Sequence, residues 1–571
     1  MKLNLTLASL LLIFSIVLLP PAALLAADDN VIISAEEIAT LQAHSMADIL
    51  NNVPGLTAGN SSVSIHGNYK VKVFVDGKPI NDPTSSHGRI NWHMITPSDI
   101  SKIEILRGKG SVKYGQDASG GVILITTKGG SKISGNLKSF GGSQERYYLN
   151  TTLQTTLESW HIGLTGSYET TDGYLDNNDK QRSQLGSTIG YTFHEQAHIS
   201  FAADFTEDNR GRAGYPDFPT PFSRAESRMA AYSMQADVYG IESKTYLNIG
   251  EKTNTDISRN LFKTIEVKDF GQQLDSTYIS PKTGTFNYGG SFFWSGASGN
   301  SFSDQDETTA SLYLVDSYTL DSLPLNISLG LRGNVNSAFN NAYNPEIKIT
   351  YKEKYWKTTA GYNRSNNSPS FYQRFNETSS TRPNPNLGME TSDNYSLAIF
   401  SRLTETVSGS TTLFYHQLSN RITYTYDDNG TGQYQNVGKA TYTGCDLSLN
   451  WQPFKGIQNK INYTYLLAKD EQTNNDLPAK PRHKGRVTLT YKPTQPLSLI
   501  LIGRGSSSAY RNRANSKSVP GYVVGDFKIE YSFQRCSLFS EITNILDKEY
   551  WYVDGLLARP RAWFAGITFR I

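Results

Sequence analysis

Residues 149–168 read LNTTLQTTLESWHIGLTGSY. In an extended chain Leu149, Thr151, Leu153 and Leu157 point one way and Asn150, Thr152, Gln154 and Glu158 the other. After the short LES connection (157–159), Ile162, Leu164 and Tyr168 stand opposite His161, Thr165 and Ser167. Period two is the mark of a strand with one apolar and one polar face. It recurs at Ile199, Phe201, Ala203 and Phe205, and at Phe527, Ile529, Tyr531 and Phe533. The final WFAGITFRI puts Trp563, Ala565, Ile567, Phe569 and Ile571 on one face.

Composition supplies a reason for so many two-faced strands. Hydrophobic residues are only 38% of the 571, yet 34 Tyr, 25 Phe and 7 Trp bring the aromatic share to 12%, and mean hydropathy is −0.44. A polar chain rich in rings suits a wall between lipid and water with aromatics at both interfaces; a large β-rich soluble enzyme shares that composition. The net charge of +2, from 54 basic and 52 acidic residues, asks for no nucleic acid. Cys445 is in phase with Leu447, Leu449 and Trp451, and Cys536 with Leu538 and Ile542. Each is expected on an apolar wall several strands from the other, with no disulfide and no metal spacing.

The chain opens with Lys2, an apolar run from Leu5 to Leu19, Pro20-Pro21 and small residues before Asp28. This predicts a secretory signal peptide over 1–27, cut after Ala26 or Ala27. Beyond it no run approaches the roughly 18–20 apolar residues of a membrane helix, so a membrane-embedded mature chain must be a closed barrel. Short turns such as LES and HEQA (194–197) alternate with longer polar stretches such as TTDGYLDNNDKQRS and EDNRGRAGYPDFPTPFSR, the arrangement of outer-membrane barrels. Residues 131–571 accommodate about 22 antiparallel strands at roughly 20 residues per strand and connection.

Two apparent catalytic motifs dissolve. HEQAH (194–198) has zinc-protease spacing, but those ligands need a helix and here they join two alternating strands. Gly110 to Gly115 matches the glycines of a phosphate loop, but Gln116-Asp117 follows where Lys and Ser/Thr are required. No close acid pair or nucleophile elbow appears, and no enzymatic activity is expected.

Residues 28–130 form a different unit. AEEIATLQAHSMADILNNVPGL is helix-like and ends at Pro54-Gly55; SVSIHG, KVKVFVDGKPI and the apolar runs of IEILRGKGSVKYGQDASGGVILITTK read as short strands. Together they make a compact mixed α/β domain of about 100 residues, too polar to span and able to sit inside a wide pore. These residues resemble the plug of TonB-dependent outer-membrane receptors. The similarity continues through SPSFYQRF and NPNLGMETSDNYSLAIF, LPAKPRHKGRVTLTY, and EITNILDKEYWY with the terminal FRI.

The resemblance implies an all-β transmembrane barrel, with this plug (28–130) in the lumen of the barrel (131–571). It implies a monomeric outer-membrane receptor in outer-membrane lipid, moved by TonB and its inner-membrane energising complex. Glu104 and Arg107 fall where the family makes plug-to-wall ionic contacts. The chain departs from the pattern before VIISAEEI, where the usual TonB-contacting segment is missing, so the TonB contact is unassigned and a passive porin or adhesin stays open. It departs also in His66 and in RGKG.

Family cargo is mostly ferric siderophore, with cobalamin and haem in the minority; residues 371–383 lack the His that similar haem receptors carry. Candidate ligand contacts are His87, Arg89 and Trp92 on the plug apex and Arg210, Arg212, Tyr215, Phe218 and Arg224 on outward loops. Guanidinium groups attract anionic chelates and rings pack flat ligands. No cofactor is expected apart from a calcium loop at Asp172, Asp176 and Asp179, whose alternative is a solvated turn. An exported hydrolase is the third reading.

Overall fold

The computed structural model describes residues 30–41, 43–86, 88–128, 133–320, 322–427, 430–552 and 555–571. The signal-peptide segment 1–27 and His87 lie outside the described residues.

Twenty-two antiparallel strands run from Ser134–Gly142 to Ala562–Arg570 and close on themselves. The last pairs with the first from Phe564↔Gly142 to Arg570↔Asn136. Closure leaves no edge strand, so every backbone donor and acceptor of the wall has a partner where lipid offers none. The wall is inverted relative to a soluble protein. Leu149 and Leu153 are each 46% exposed, while Asn150 between them is fully buried. Outward apolar residues face lipid and inward polar ones face the lumen. Among the described residues no helix is long and apolar enough to cross a membrane.

The strands are longer than a crossing needs. They span 8 residues at Cys536–Thr543 and 23 at Gly432–Phe454, so much of what reads as loop in EDNRG is the end of Ala197–Gly211. Ladder hydrogen bonds to the neighbouring strand continue beyond the apolar band, because a polar residue on a solvated strand costs nothing. HEQAH is a hairpin: Lys180–His194 pairs with Ala197–Gly211 across two residues.

Inside lies the plug. Its sheet places Val31–Ser34, Ile100–Arg107, Gly121–Thr127, Val71–Val75 and Lys78–Pro79 side by side. This sheet has an ordinary apolar core: Ile49, Ile65, Val73, Ile103, Ile105 and Ile123 are wholly or almost wholly buried. The helix-like stretch is two short helices, Ala35–Leu41 and Met46–Leu50. Ser45 caps the second by accepting from Asp48 N at 3.2 Å, and the preceding His44 is held by Glu541 of the barrel at 2.8 Å.

The glycine-rich joint between Ile100–Arg107 and Gly121–Thr127 contains a single turn of helix, Ser111–Tyr114. Gly121, at φ +132°, could carry no side chain, because a Cβ there would sit 2.1 Å from Leu106 O. The turn's carbonyls meet a buried barrel arginine: Arg332 Nη1 donates to Val112 O at 3.2 Å and Lys113 O at 3.4 Å. The joint therefore docks the plug on the wall.

Candidate functional site

Among the described residues the long connections emerge at one end of the barrel, and the plug apex, residues 82–86 and 88–91, points the same way. Lys252 of the wall pairs with Asp82 at 2.6 Å. The connection 368–389 folds down to the apex through the short helix Phe371–Phe375, which Ser370 and Gln373 close with a reciprocal capping box. Gln373 Nε2 also donates to Ser86 O of the plug at 3.4 Å. The capping pair thus fixes both the helix start and its seat on the plug.

Around this junction the structure gathers cations and rings. Arg89 is exposed at the apex. Arg212 is half-buried, and its guanidinium is pushed down to about 10 by burial and by the neighbouring Arg89 and Arg210 charges. It stays charged at neutral pH, and neither Arg89 nor Arg212 has a carboxylate partner among the described residues. Arg210 is different, since its Nε donates to Asp208 Oδ1 at 2.6 Å, and Asp208 also takes Arg182 at 2.9 Å.

Across the opening, Lys263 Nζ lies 4.4 Å above the Tyr372 ring. Tyr372 meets Tyr434 at 6.5 Å, and Tyr434 meets Tyr424 edge-on at 4.9 Å. Arg513 Nη1 ties in by donating to Tyr424 O at 2.8 Å. None of these five was singled out from the sequence. They lie on four separate connections or strand ends, and only aromatic-rich stretches such as FYQRF and YTYDDNGTGQY hinted at them.

The other anticipated contacts fare variously. Tyr215 and Phe218 form a small hairpin at the rim; Tyr215 lies under the Arg511 guanidinium at 4.7 Å, and Phe218 is 65% exposed. Trp92 is not at the apex surface: it packs in the plug core, because Trp92–Met94 forms a 3-10 turn that drives the ring inward. Arg224 is partly exposed and already engaged. It grips Asp179 with two hydrogen bonds of 3.1 and 2.8 Å and Asn209 with a third. That fork takes both Asp179 oxygens, and among the described residues no group of three acidic, histidine or cysteine side chains is placed to hold a metal ion. Asp179 of the expected calcium loop is thus engaged by Arg224.

Lower in the lumen, Arg107 reaches the wall, with Nη1 2.8 Å from Asp446 Oδ2. Glu104 does not. It accepts from Asn30 at 2.7 Å and pairs with Lys102 at 3.4 Å, because it lies on the stretch of its strand that Val31–Ser34 covers.

A barrel closed by an α/β plug, with short turns at one end and a cationic, aromatic mouth at the other, agrees with the comparisons. The model of a TonB-dependent receptor-like β-barrel matches residues 118–545, and that of the TonB-dependent receptor plug domain matches 26–122. The chain belongs to the TonB-dependent receptor family. It is therefore an outer-membrane protein in a family of receptors and transporters. It is 22% identical to the vitamin B12 transporter BtuB of Photobacterium profundum over 94% of this chain and 92% of that one. It is also 22% identical to an iron-regulated outer membrane virulence protein of Vibrio cholerae, over 94% and 91%. The solved siderophore receptor PirA of Acinetobacter baumannii superposes with a TM-score of 0.80 at 18% identity, covering 95% and 98% of the two chains; at that identity the likeness is one of fold.

Proposed function

We propose that this receptor captures an anionic metal chelate, a ferric siderophore foremost, in its outer mouth and imports it with energy delivered by TonB. The observation that carries the reading is the pair Arg89 and Arg212, two cations without carboxylate partners among the described residues, at the same end of the barrel as the ring cluster Tyr372, Tyr424 and Tyr434. Guanidinium groups that no protein anion neutralises favour an anionic ligand, and a ring wall favours a flat one. Cobalamin is the second reading, supported by the similarity to a vitamin B12 transporter along nearly the whole chain.

Uptake of labelled ferric siderophores and of cobalamin, in cells with and without TonB, tests the reading. Energised import of an anionic chelate that disappears without TonB supports it. Cobalamin uptake alone moves the assignment to the second reading. Uptake indifferent to TonB rejects energised import in favour of a passive pore.

A further inference from the structure

The centre of the plug meets the barrel through buried polar groups that the mouth does not use. His66 is 2% exposed and occupies the left-handed region at φ +50°, with Gly67 following at φ +77°. Ile65 and Asn68 exchange backbone hydrogen bonds of 3.0 and 2.9 Å across this turn. A non-glycine residue held there is strained, and the surrounding contacts must hold it. The His66 backbone N–H donates to Gly55 O of the plug at 2.8 Å, and its side-chain contacts are with the wall. His66 Nε2 lies 2.8 Å from Asp446 Oδ2, and its Nδ1 lies 3.1 Å from His416 Nε2. His416 Nδ1 lies 2.8 Å from Asn394 Oδ1, and the Phe414 ring stacks on His66 at 3.6 Å.

Counting protons along this chain gives an unexpected total. Asn394 is oriented by its own bonds: Nδ2 donates to Ser119 O at 3.2 Å, and Oδ1 accepts from Ser392 Oγ at 2.8 Å. Its oxygen therefore faces His416, so His416 Nδ1 carries a hydrogen. Asp446 accepts from Arg107 at Oδ2 (2.8 Å) and from Thr464 at Oδ1 (2.9 Å). It is a carboxylate, so His66 Nε2 also carries a hydrogen. A neutral imidazole has one N–H, and both are now spent at the outer ends. The two inner nitrogens, 3.1 Å apart, would confront each other with lone pairs. A third proton between the rings turns that repulsion into a charge-assisted hydrogen bond.

The charges around the pair are few. The strand Val407–Tyr426 contributes His416, Gly432–Phe454 contributes Asp446, and the plug contributes Arg107. Ile457–Asp470 adds the Thr464 hydroxyl, and Glu390–Arg402 adds the Asn394 amide and, further along the same face, the buried Glu390, which accepts from Asn367 at 3.3 Å. Lys484, whose Nζ donates to Leu56 O at 2.6 Å, and Lys480, whose stem packs on Gly67, are the next cations. Below the pair a cavity of about 670 Å³ lies between the N-terminal part of the plug and the wall, and Arg107 and Asp446 are among its lining residues.

We propose that His66 and His416 bind one proton between them, and that this proton latches the centre of the plug to the barrel beside that cavity. Its loss to water separates the rings and frees the His66 turn; only an N–H bond changes. The sign follows from linkage: a pair that holds a proton in the docked state and gives it up when undocked is latched at low pH and released as pH rises through the pair's own titration.

Nitrogen NMR of the full-length receptor in detergent micelles, 15N-labelled in its imidazoles and assigned with His66→Gln and His416→Gln, tests the protonation directly. The expected result at pH 7 is one ring with both nitrogens protonated beside one neutral ring carrying hydrogen on Nδ1. Two neutral rings at that pH would overturn the proposal. Hydrogen exchange of the Ile65–Asn68 amides, normalised for the intrinsic pH dependence of exchange, tests the latch. Opening in the wild type is expected to rise roughly tenfold or more as the third proton is lost, the factor carried by one charge-assisted hydrogen bond. In His416→Gln the amide can donate to His66 Nδ1 without an extra proton, so the pH dependence is expected to vanish while protection remains. Equal pH dependence in that variant and the wild type refutes the latch.

Discussion

The plug and the wall around it solve opposite problems with the same alphabet. In the plug, Ile103, Ile105 and Ile123 turn away from water into a shared core; in the wall, Leu149 and Leu153 turn outward and Asn150 turns in. Burying a branched side chain in the plug stabilises it by removing apolar surface from water, about 1.5–3 kcal/mol for each. The same leucine on the wall gains from lipid, and only while it stays in lipid. The boundary between the two regions is neither oil nor water. It is a layer of ions and amides, including Arg107 with Asp446, His44 with Glu541 and Lys252 with Asp82. Buried pairs of this kind add little net stability, since desolvation offsets attraction, but a mismatched partner is strongly penalised. They therefore set where the plug sits more than how tightly it is held.

The sharpest test of that contrast uses two adjacent residues on opposite faces of one strand. Asp446→Ala leaves Arg107 and His66 without their carboxylate and is expected to cost about 3–5 kcal/mol of plug docking. Cys445→Ala, beside it on the other face, should stay within about 0.5 kcal/mol. Differential protease sensitivity of the plug in micelles reads both, and equal effects would break the comparison. Ile103→Ala in the plug core is expected to cost about 2–5 kcal/mol through lost transfer energy and a cavity, seen as weakened hydrogen-exchange protection across the plug sheet. On the wall, Leu153→Arg should impair folding into vesicles by up to about 2–4 kcal/mol at mid-depth, whereas the plug's own protection stays unchanged. Arg212→Ala should weaken capture of an anionic chelate by about 1.5–3 kcal/mol, the range for a hydrogen bond to a charged group, with a shallower salt dependence of binding by calorimetry. Phe218→Ala, at the exposed rim, should shift stability by less than about 0.5 kcal/mol, so any loss of chelate binding there reports contact with cargo.

Legibility from sequence follows the same division. The barrel was readable because period two survives at any single strand: a wrong phase would put Asn150 in lipid and Leu149 in the lumen. Trp92 and Arg224, both expected as ligand contacts, are engaged within the protein for a shared reason. Both residues have the chemistry of a ligand contact, and a local backbone turn or a partner from a distant connection claimed them first. Glu104 lies three residues from Arg107 in the same strand, yet the edge strand Val31–Ser34 covers its position and not that of Arg107. The tyrosine wall was missed because Tyr372 lies on a separate connection: Tyr424 and Tyr434 are cross-strand partners of one hairpin, and only the tertiary fold brings Tyr372 to them.

What the amino-acid order determined by itself was the alternation, the α/β character of the plug and the glycines of the joint. Each depends on neighbours within a few residues, where sterics and hydrophobic phase act directly. Tertiary structure alone decided which cations lack a partner, that Arg332 would receive the plug's helical turn, and that His66 would face His416 across 350 residues of chain. Those outcomes depend on distances set only when the wall has closed around the plug, and no local rule carries that far.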